Sequence, residues 1–236
     1  MRMSYILEQF ISQKLLIESC SLLIQKRILE AISKNGYCSI ALSGGKTPIA
    51  LYQKLASMKL PWSNIYLFFC DERCVSYDHE DSNYHMLNNF LLKDISIPKK
   101  QVFPMPSNPP KPELYEEVLL EFFDGLPKFD IVLLGMGTDG HTASIFPKSK
   151  ALKEKERLAL KVPAPKLAPK VPRITLTLPA INASSCVIML ISGEEKRQMA
   201  KLVLDAIKNG GNDKYPASLV QPKGEFFIYK CDNTND

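Results

Sequence analysis

The chain has 236 residues, of which 45% are apolar and 23% are charged, and its formal net charge is +5. This length can bury a sizeable core, and the composition is typical of a globular protein in water. The positive charge is small and scattered, so it gives no argument for nucleic-acid binding, although it suits an anionic small molecule.

Helices are predicted from apolar residues at helical spacing and from capping signals, and strands from short apolar runs between turn residues. In chain order, the predicted elements are a helix over 6–33, a strand over 37–43, a helix over 49–58, a strand over 65–70, helices over 83–92 and 113–123, strands over 129–135, 173–179 and 186–192, a helix over 194–210 and a strand over 225–230. This alternation predicts a single α/β domain over residues 1–236, with a mainly parallel sheet covered by helices on both faces.

Local signals mark several boundaries of these elements. Gly36 is a C-terminal signal for the first helix, whereas Thr47 and Pro48 provide an N-cap and a first-turn proline for the second. A short helix is predicted to start at Gly140, and the proline-rich residues 162–172 are predicted to form a loop.

The first 20 residues are broken by charged and amide side chains, so we expect neither a signal peptide nor a membrane span. The six cysteines form no C-x-x-C pair, and four of them lie in apolar runs. Cys70 and Cys74 lack a matching Cys or His pair further along the chain, which argues against a zinc site. We therefore expect buried, reduced thiols and a cytoplasmic location.

Open parallel sheets bind ligands beyond the carboxyl ends of their strands. Three predicted strand ends carry residues suited to chemistry or binding, namely residues 43–45, 71–73 and 135–141. We expect a functional site where these ends meet.

The segment "ALSGGKTP" (41–48) ends like a nucleotide-binding P-loop, but it does not match that motif. The first glycine of the pattern G-x-x-x-x-G-K-[ST] falls on Ile40, and Pro48 removes an amide just beyond the loop. The segment "GMGTDG" (135–140) matches the dinucleotide pattern G-x-G-x-x-G, but a single match late in the chain is weak. Neither loop predicts a nucleotide.

Both glycine loops are predicted to place amide groups and a helix N-terminus at the end of a strand. Such amides and the helix dipole favour an anion. The alternative is a tight turn that needs glycine for backbone reasons alone. The sequence leaves both interpretations open.

His141 lies at the end of the most apolar predicted strand, and its residue type suits proton transfer near neutral pH. Asp139, two residues earlier, is a candidate to orient the imidazole. The alternative is that His141 only caps the turn. His79 lies in an acidic loop and His85 in a predicted helix, so we interpret both as structural.

Several cations lie near these strand ends. Arg73 follows a predicted strand, Lys170 and Arg173 flank the proline-rich loop, and Lys196 begins a predicted helix. A guanidinium offers a planar fork to phosphate. Arg73 is also next to Asp71 and Glu72 in sequence, so a local salt-bridge network is the alternative.

Six segments, in this order, resemble the 6-phosphogluconolactonases, which share a superfamily with glucosamine-6-phosphate deaminase. They are "LSGGKTP", "DERCVSYDHEDSNY", "GMGTDGHTASIFP", "RITLTLPAIN", "SGEEK" and "PASLVQP". The deaminases continue after Asp-Gly-His with Ile-Ala-Phe-Asn-Glu-Pro, and their glutamate helps the histidine in opening the sugar ring. This chain has "TASIFP" there and Arg73 in place of a tyrosine, and both differences favour the lactonase.

The resemblance implies a Rossmann-like fold without a nucleotide, and hydrolysis of a phosphosugar lactone. His141 is then the general base, assisted by Asp139, with no metal or organic cofactor. The residues implied in binding the substrate are Ser43, Gly44, Gly45, Lys46, Thr47, Arg73, Lys170, Arg173 and Lys196. We expect no nucleic-acid or membrane partner, and a monomer. The alternatives are an amino-sugar-phosphate deaminase and a phosphosugar-binding protein without catalysis.

Overall fold

The computed structural model describes residues 5–233. Within this range the strands are β1 (Ile6–Phe10), β2 (Cys38–Leu42), β3 (Ile65–Phe69), β4 (Asp71–Arg73), β5 (Val102–Phe103), β6 (Ile131–Gly135), β7 (Ala159–Val162), β8 (Arg173–Leu176), β9 (Cys186–Ser192) and β10 (Glu225–Cys231). The α-helices are α1 (Gln13–Asn35), α2 (Ile49–Ser57), α3 (Asn83–Phe90), α4 (Pro112–Phe123), α5 (Leu178–Asn182) and α6 (Arg197–Lys208). The predicted alternation of helices and strands is confirmed over most of this range.

Seven strands form one parallel sheet in the order β1-β10-β9-β6-β2-β3-β5. From β2 the chain continues to β3 and β5 on one side, and then crosses to β6, β9 and β10 on the other. The strand order therefore reverses between β2 and β6, which are direct neighbours. Ligands of open α/β sheets bind at such a reversal, outside the carboxyl ends of the strands. The predicted α/β fold with a mainly parallel sheet is confirmed.

A second, antiparallel sheet in the order β4-β8-β7 lies beside the carboxyl end of β3. The sequence predicted β8 but neither β4 nor β7. Residues 71–73 were expected to be the end of a strand, and they instead form β4, one residue after β3 ends. Strands of three or four residues carry too little periodicity to be recognised without their pairing partners.

The helix predicted over residues 6–33 is wrong for its first five residues, which form β1. Ile6 pairs with Phe227 and Phe10 with Cys231 in parallel register with β10. This partner lies at the other end of the chain, so tertiary pairing overrides the local pattern. The helix α1 begins after Ser12, whose side chain accepts a hydrogen bond from the Leu15 amide at 3.3 Å. It ends at Gly36 in the left-handed conformation, as predicted.

The short helix predicted from Gly140 is also wrong. Residues after β6 form turns, in which the Thr142 hydroxyl donates to the Gly135 carbonyl at 2.8 Å and the Ile145 amide to the Thr142 carbonyl at 2.9 Å. Ala143 has a left-handed φ of 47°, which interrupts any helix. The helix N-terminus expected to support anion binding is therefore absent from this loop. Before α2 the N-cap residue is Pro48, not Thr47.

The core lies between the parallel sheet and its helices, and β2 and β9 are buried along their whole length. All six cysteines are free thiols, of which five are buried, as predicted. Burial raises the pKa of Cys186 to about 12, which keeps this thiol protonated. Between residues 5 and 233, none of the helices combines the length and apolarity needed to cross a lipid bilayer.

Candidate active site

A cavity of about 130 Å³ opens at the carboxyl edge of the parallel sheet, at the reversal between β2 and β6. Loops after β2, β6 and β9 and strands of the antiparallel sheet converge on it. Of the residues implicated from the sequence, the cavity is lined by Ser43, Gly44, Gly45, Lys46, Thr47, Arg73, His141, Arg173 and Lys196. Residues from five distant parts of the chain thus share one site.

The turn at residues 43–47 follows β2 and forms one wall of the cavity. The buried hydroxyl of Tyr52, on α2, donates to the Ser43 carbonyl at 2.6 Å and fixes the turn against the helix. Gly45 has a φ of 96°, which a side chain would disfavour. Within residues 5–233, no group accepts a hydrogen bond from the amides of residues 44–47. These amides and the N-terminus of α2 are suited to an anion.

Arg73 and Arg173 form the charged floor of the cavity. They are directly opposite each other in the antiparallel pairing of β4 with β8. Like charges in this position repel. The Nε atoms of both side chains are buried, with no hydrogen-bond partner among the described residues. Burial lowers the pKa of Arg173, as does the charge of Arg73, while Asp71 opposes them. A bound anion would relieve this repulsion.

Two backbone carbonyl groups, which accept hydrogen bonds, hold these guanidinium groups in place. Arg73 donates from Nη1 to the Asp81 carbonyl at 2.5 Å, and Arg173 donates from Nη2 to the Pro169 carbonyl at 2.9 Å. Arg173 also lies over the Phe146 ring, with its Cζ 5.5 Å from the ring centroid. Each arginine is therefore fixed at one end of its fork.

The alternative of a salt-bridge network around Arg73 does not hold within the described residues. The Glu72 carboxylate instead accepts from the amides of Asn83 and Tyr84, at the start of α3, both at 2.7 Å. The Asp71 carboxylate accepts from the Ser144 hydroxyl at 2.5 Å and from the Asn83 amide group at 3.2 Å. Both acids are thus hydrogen-bonded elsewhere, and Arg73 keeps its charge for the cavity.

Lys196 follows β9 and reaches the turn after β2. Its Nζ lies 3.3 Å from the Thr47 hydroxyl. Burial lowers the pKa of Lys196, and the charge of Glu195 opposes this effect. A half-buried ammonium beside the turn adds a third cation to the arginine pair.

His141 and Asp139 form a hydrogen-bonded pair at the rim of the cavity. The His141 Nδ1 lies 2.5 Å from Asp139 Oδ1, and the two side chains are 20% and 34% exposed. Burial favours the protonated acid, but the hydrogen bond with His141 and its charge hold the pKa of Asp139 below its ordinary value. Because an ionised carboxylate only accepts hydrogen bonds, Nδ1 carries the proton and Nε2 remains as the acceptor of the ring.

The loop after β6 is shaped around this imidazole. A Cβ atom at Gly137 would overlap the ring of His141, so only glycine fits there. On the other side, the Phe146 ring packs against the imidazole with centroids 4.5 Å apart. The Ser144 amide donates to the Thr175 hydroxyl at 3.1 Å, which ties the loop to β8. The histidine is therefore held by packing as well as by Asp139.

The structure does not bring Lys170 into the cavity. This side chain is exposed on the loop between β7 and β8, next to the carbonyl that holds Arg173. Conversely, the sequence did not indicate roles in the site for Ser144, Asn83 or Phe146, and it indicated Asp71 only as part of the strand end 71–73. The quoted motifs contain all four residues, but only the pairing of loop and sheet shows that they meet. Within residues 5–233, no group of three His, Cys, Asp or Glu side chains is placed to hold a metal ion.

Comparison with known proteins gives a consistent result. Residues 11–228 match the family described as glucosamine-6-phosphate isomerases/6-phosphogluconolactonase. The 6-phosphogluconolactonase of Synechocystis sp. is 39% identical over 225 residues, covering 91% of this chain and 90% of the relative. The corresponding protein of Nostoc sp. is 40% identical over 213 residues, covering 86% of this chain and 85% of the relative.

Solved structures agree with the sequence relatives. The crystal structure of 6-phosphogluconolactonase from Thermotoga maritima has a TM-score of 0.82 at 30% identity, covering 97% of this chain and 100% of that chain. The structure of the Trypanosoma brucei 6-phosphogluconolactonase has a TM-score of 0.85 at 30% identity, covering 98% of this chain and 97% of that chain. The chain belongs to the glucosamine-6-phosphate isomerase/6-phosphogluconolactonase family.

Proposed function

We propose that the chain hydrolyses 6-phospho-D-glucono-1,5-lactone to 6-phospho-D-gluconate, a step of the oxidative pentose phosphate pathway. The observation that carries this proposal is the pairing of a proton acceptor with an anion site in one cavity. His141, held by Asp139, faces the same cavity as the opposed side chains of Arg73 and Arg173. The relatives named 6-phosphogluconolactonase support the same reaction.

The phosphate is assigned to the cationic side of the cavity. The free amides of residues 44–47, the guanidinium groups of Arg73 and Arg173, and the ammonium of Lys196 all provide donors there. Charge-assisted hydrogen bonds of this kind are roughly twice as strong as neutral ones. The phosphate thereby orients the sugar ring so that its lactone carbonyl lies towards His141.

His141 acts as the general base in this proposal. Nε2 takes a proton from water as the water oxygen bonds to the lactone C1, and the carbonyl oxygen becomes an oxyanion. Breakage of the bond between C1 and the ring oxygen then requires a proton on that oxygen, which the imidazolium returns. The product acid ionises at neutral pH. Asp139 stabilises the imidazolium that forms between these two steps.

Phe146 argues against the deaminase alternative. It is the fifth residue after His141, the place that a glutamate occupies in the deaminase pattern. Its ring packs against the imidazole and leaves no carboxylate there to assist ring opening. The same position therefore provides an apolar wall for His141 and a surface for Arg173.

The proposed activity is tested by hydrolysis of the lactone, generated in situ, against its spontaneous rate at the same pH. Acceleration by the purified protein is the expected result. A rate equal to the spontaneous one would overturn the proposal. Ammonia release from glucosamine 6-phosphate would then indicate the deaminase, and binding of 6-phosphogluconate without turnover would indicate the silent binding protein.

Replacing Lys196 by methionine is expected to weaken substrate binding and to stabilise the fold. Loss of one charge-assisted hydrogen bond raises KM by about 10-fold. Burial lowers the pKa of Lys196, so the folded chain bears a desolvation cost at neutral pH that methionine removes. A higher Tm of the ligand-free variant is therefore expected.

The pH dependence of that stability difference has a definite sign. Below the lowered pKa, both the folded and the unfolded wild-type chains carry the ammonium, and the advantage of the variant is complete. As pH rises through that pKa, the folded lysine loses its proton and the difference shrinks. Thermal unfolding at several pH values measures this difference, with Lys201→Met, an exposed position on α6, as the control. A lower Tm for the Lys196 variant at neutral pH would contradict the expectation.

A further inference from the structure

The last strand of the sheet contacts the turn that carries Lys196. This turn, residues 193–197, leads from β9 into α6. At its start, the Gly193 amide donates a hydrogen bond to the Cys231 carbonyl at 3.1 Å, at the carboxyl end of β10. The Lys196 amide then donates to the Gly193 carbonyl at 3.1 Å and closes the turn. The first residue of the turn is therefore held by β10.

A charged contact holds the other end of the same turn. Arg197, the first residue of α6, donates from Nε to Asp232 Oδ2 at 3.2 Å. It also donates from Nη1 to Glu194 Oε1 at 3.1 Å, within the turn. The N-cap residue of α6 is Lys196, and an ammonium cannot accept a hydrogen bond from the helix. The contact with Asp232 thus joins the start of the helix to the end of β10.

Asp232 is itself anchored by a buried lysine. The Lys230 Nζ lies 2.6 Å from both carboxylate oxygens of Asp232, and the Lys230 side chain is only 7% exposed. Burial favours the protonated acid, but the hydrogen bonds from Lys230 and Arg197 hold the pKa of Asp232 below its ordinary value. A buried ammonium without a counter-charge is costly, so Lys230 keeps the carboxylate in place. Asp232 is therefore held on the side of β10, and it holds Arg197 from there.

We propose that Asp232 is a positioning residue, which fixes the turn at 193–197 so that the Lys196 ammonium reaches the cavity. Lys196 lies between the two held ends of this turn, and its Nζ lies 3.3 Å from the Thr47 hydroxyl. Lysine has a flexible four-carbon stem, so the place of its ammonium depends on where the backbone is held. This role rests on the proposed function, because Lys196 contributes to binding only if the cavity holds a phosphate.

Arg197→Gln tests the positioning, because it removes the contact with Asp232 and leaves the buried pair of Lys230 and Asp232 intact. Loss of this exposed ion pair is expected to raise the Kd for 6-phosphogluconate and the KM for the lactone by about 2- to 5-fold, with kcat changed by less than about 2-fold. Isothermal titration and steady-state kinetics measure these values. Arg197→Lys keeps the charge, and an intermediate Kd is expected. The matched control is Lys208→Gln, which removes the same charge from α6 and breaks the pair with Asp205.

A double-variant cycle separates positioning from a merely structural role. If Arg197 acts through Lys196, Arg197→Gln should have no further effect on Kd in a chain that already carries Lys196→Met. A direct contribution of Arg197 to binding, or a general loss of fold, would instead multiply the two effects. Such multiplication would overturn the positioning role.

Hydrogen exchange provides a readout that needs neither ligand nor activity. Asp232→Ala alone leaves a buried ammonium unpaired, so it is combined with Lys230→Met, which makes this place apolar. The amides of residues 193–197 are expected to exchange at least ~2-fold faster in this double variant than in the parent. Equal exchange in the two chains would overturn the positioning role.

Binding of 6-phosphogluconate also separates this role from the proposed function. A parent chain that does not bind 6-phosphogluconate would overturn the proposed function, and the role of Asp232 with it. Weakened binding by Lys196→Met together with parent-like binding by Arg197→Gln would overturn the role of Asp232 alone.

Discussion

Replacing His141 by alanine is expected to reduce kcat for lactone hydrolysis by about 10²- to 10⁴-fold, the usual contribution of a positioned general base. Binding of 6-phosphogluconate should change little, because the phosphate donors of the cavity lie on other loops and on the antiparallel sheet.

The matched control for this variant is His85→Gln. His85 lies on α3 and is hydrogen-bonded to the Asn89 side chain at 2.9 Å, outside the cavity. It is expected to retain the parent kcat. Steady-state kinetics measure kcat, and isothermal titration with 6-phosphogluconate measures binding of the product. The two measurements separate loss of catalysis from loss of binding. If the His141 variant turned over the lactone as fast as the parent, His141 would not be the general base. The lactonase activity itself is tested separately, by the rate of the parent protein against the spontaneous rate.

Replacing Arg73 by alanine is expected to act mainly on binding. A charge-assisted hydrogen bond contributes about 1.5 to 3 kcal/mol, so KM should rise about 10- to 100-fold while kcat falls by less. Arg73→Lys keeps the charge but loses the planar fork, and an intermediate KM is expected. The surface pair of Arg157 with Glu116 provides the control, and Arg157→Ala should match the parent.

Thermal unfolding gives an independent readout for Arg73. In the parent, 6-phosphogluconate is expected to raise Tm because it binds only the folded chain. This rise should be much smaller in Arg73→Ala at the same ligand concentration. Without ligand, removal of the repulsion between Arg73 and Arg173 offsets the lost hydrogen bond to the Asp81 carbonyl. A ligand-induced shift equal to that of the parent would show that the phosphate binds elsewhere.

Two features of the site lower the stability of the ligand-free fold, namely the opposed side chains of Arg73 and Arg173 and the half-buried ammonium of Lys196. Opposed arginines and a half-buried lysine are unfavourable in the ligand-free fold, and under the proposed function a bound phosphate would make them favourable. Strain of this kind is common at binding sites, where the surrounding structure holds groups in place. For both Lys196→Met and Arg73→Ala, Tm without ligand reports the stability of the fold and KM reports substrate binding. The two variants therefore compare the effect of a cation on stability with its effect on binding, at two positions in the cavity.

The elements that could be predicted from the sequence are those with a strong local signal. The strands β2, β6 and β9 are continuous apolar runs, and the end of α1 is marked by Gly36, so their positions follow from the sequence. The same holds for the pair of Asp139 and His141, which are two residues apart in one turn. Local patterns determine these features because the interactions that form them are local.

Other features depend on partners that are far away in the chain. The segment Ile6–Phe10 becomes a strand because β10 pairs with it. The loop after β6 forms no helix, because Ser144 and Thr142 bind Asp71, β8 and the end of β6 instead. Neither partner can be read from the segment itself.

The sequence by itself determined the α/β class, the histidine–aspartate pair and the glycine turn after β2. The tertiary structure alone decided which cations share a cavity: Arg73 meets Arg173 through the register of β4 with β8, Lys196 reaches Thr47 from β9, and Lys170 stays outside. The physical reason is that a charge acts through space. A charged residue looks the same in sequence whether it is solvated or buried against a like charge, and only the pairing of strands distinguishes the two cases.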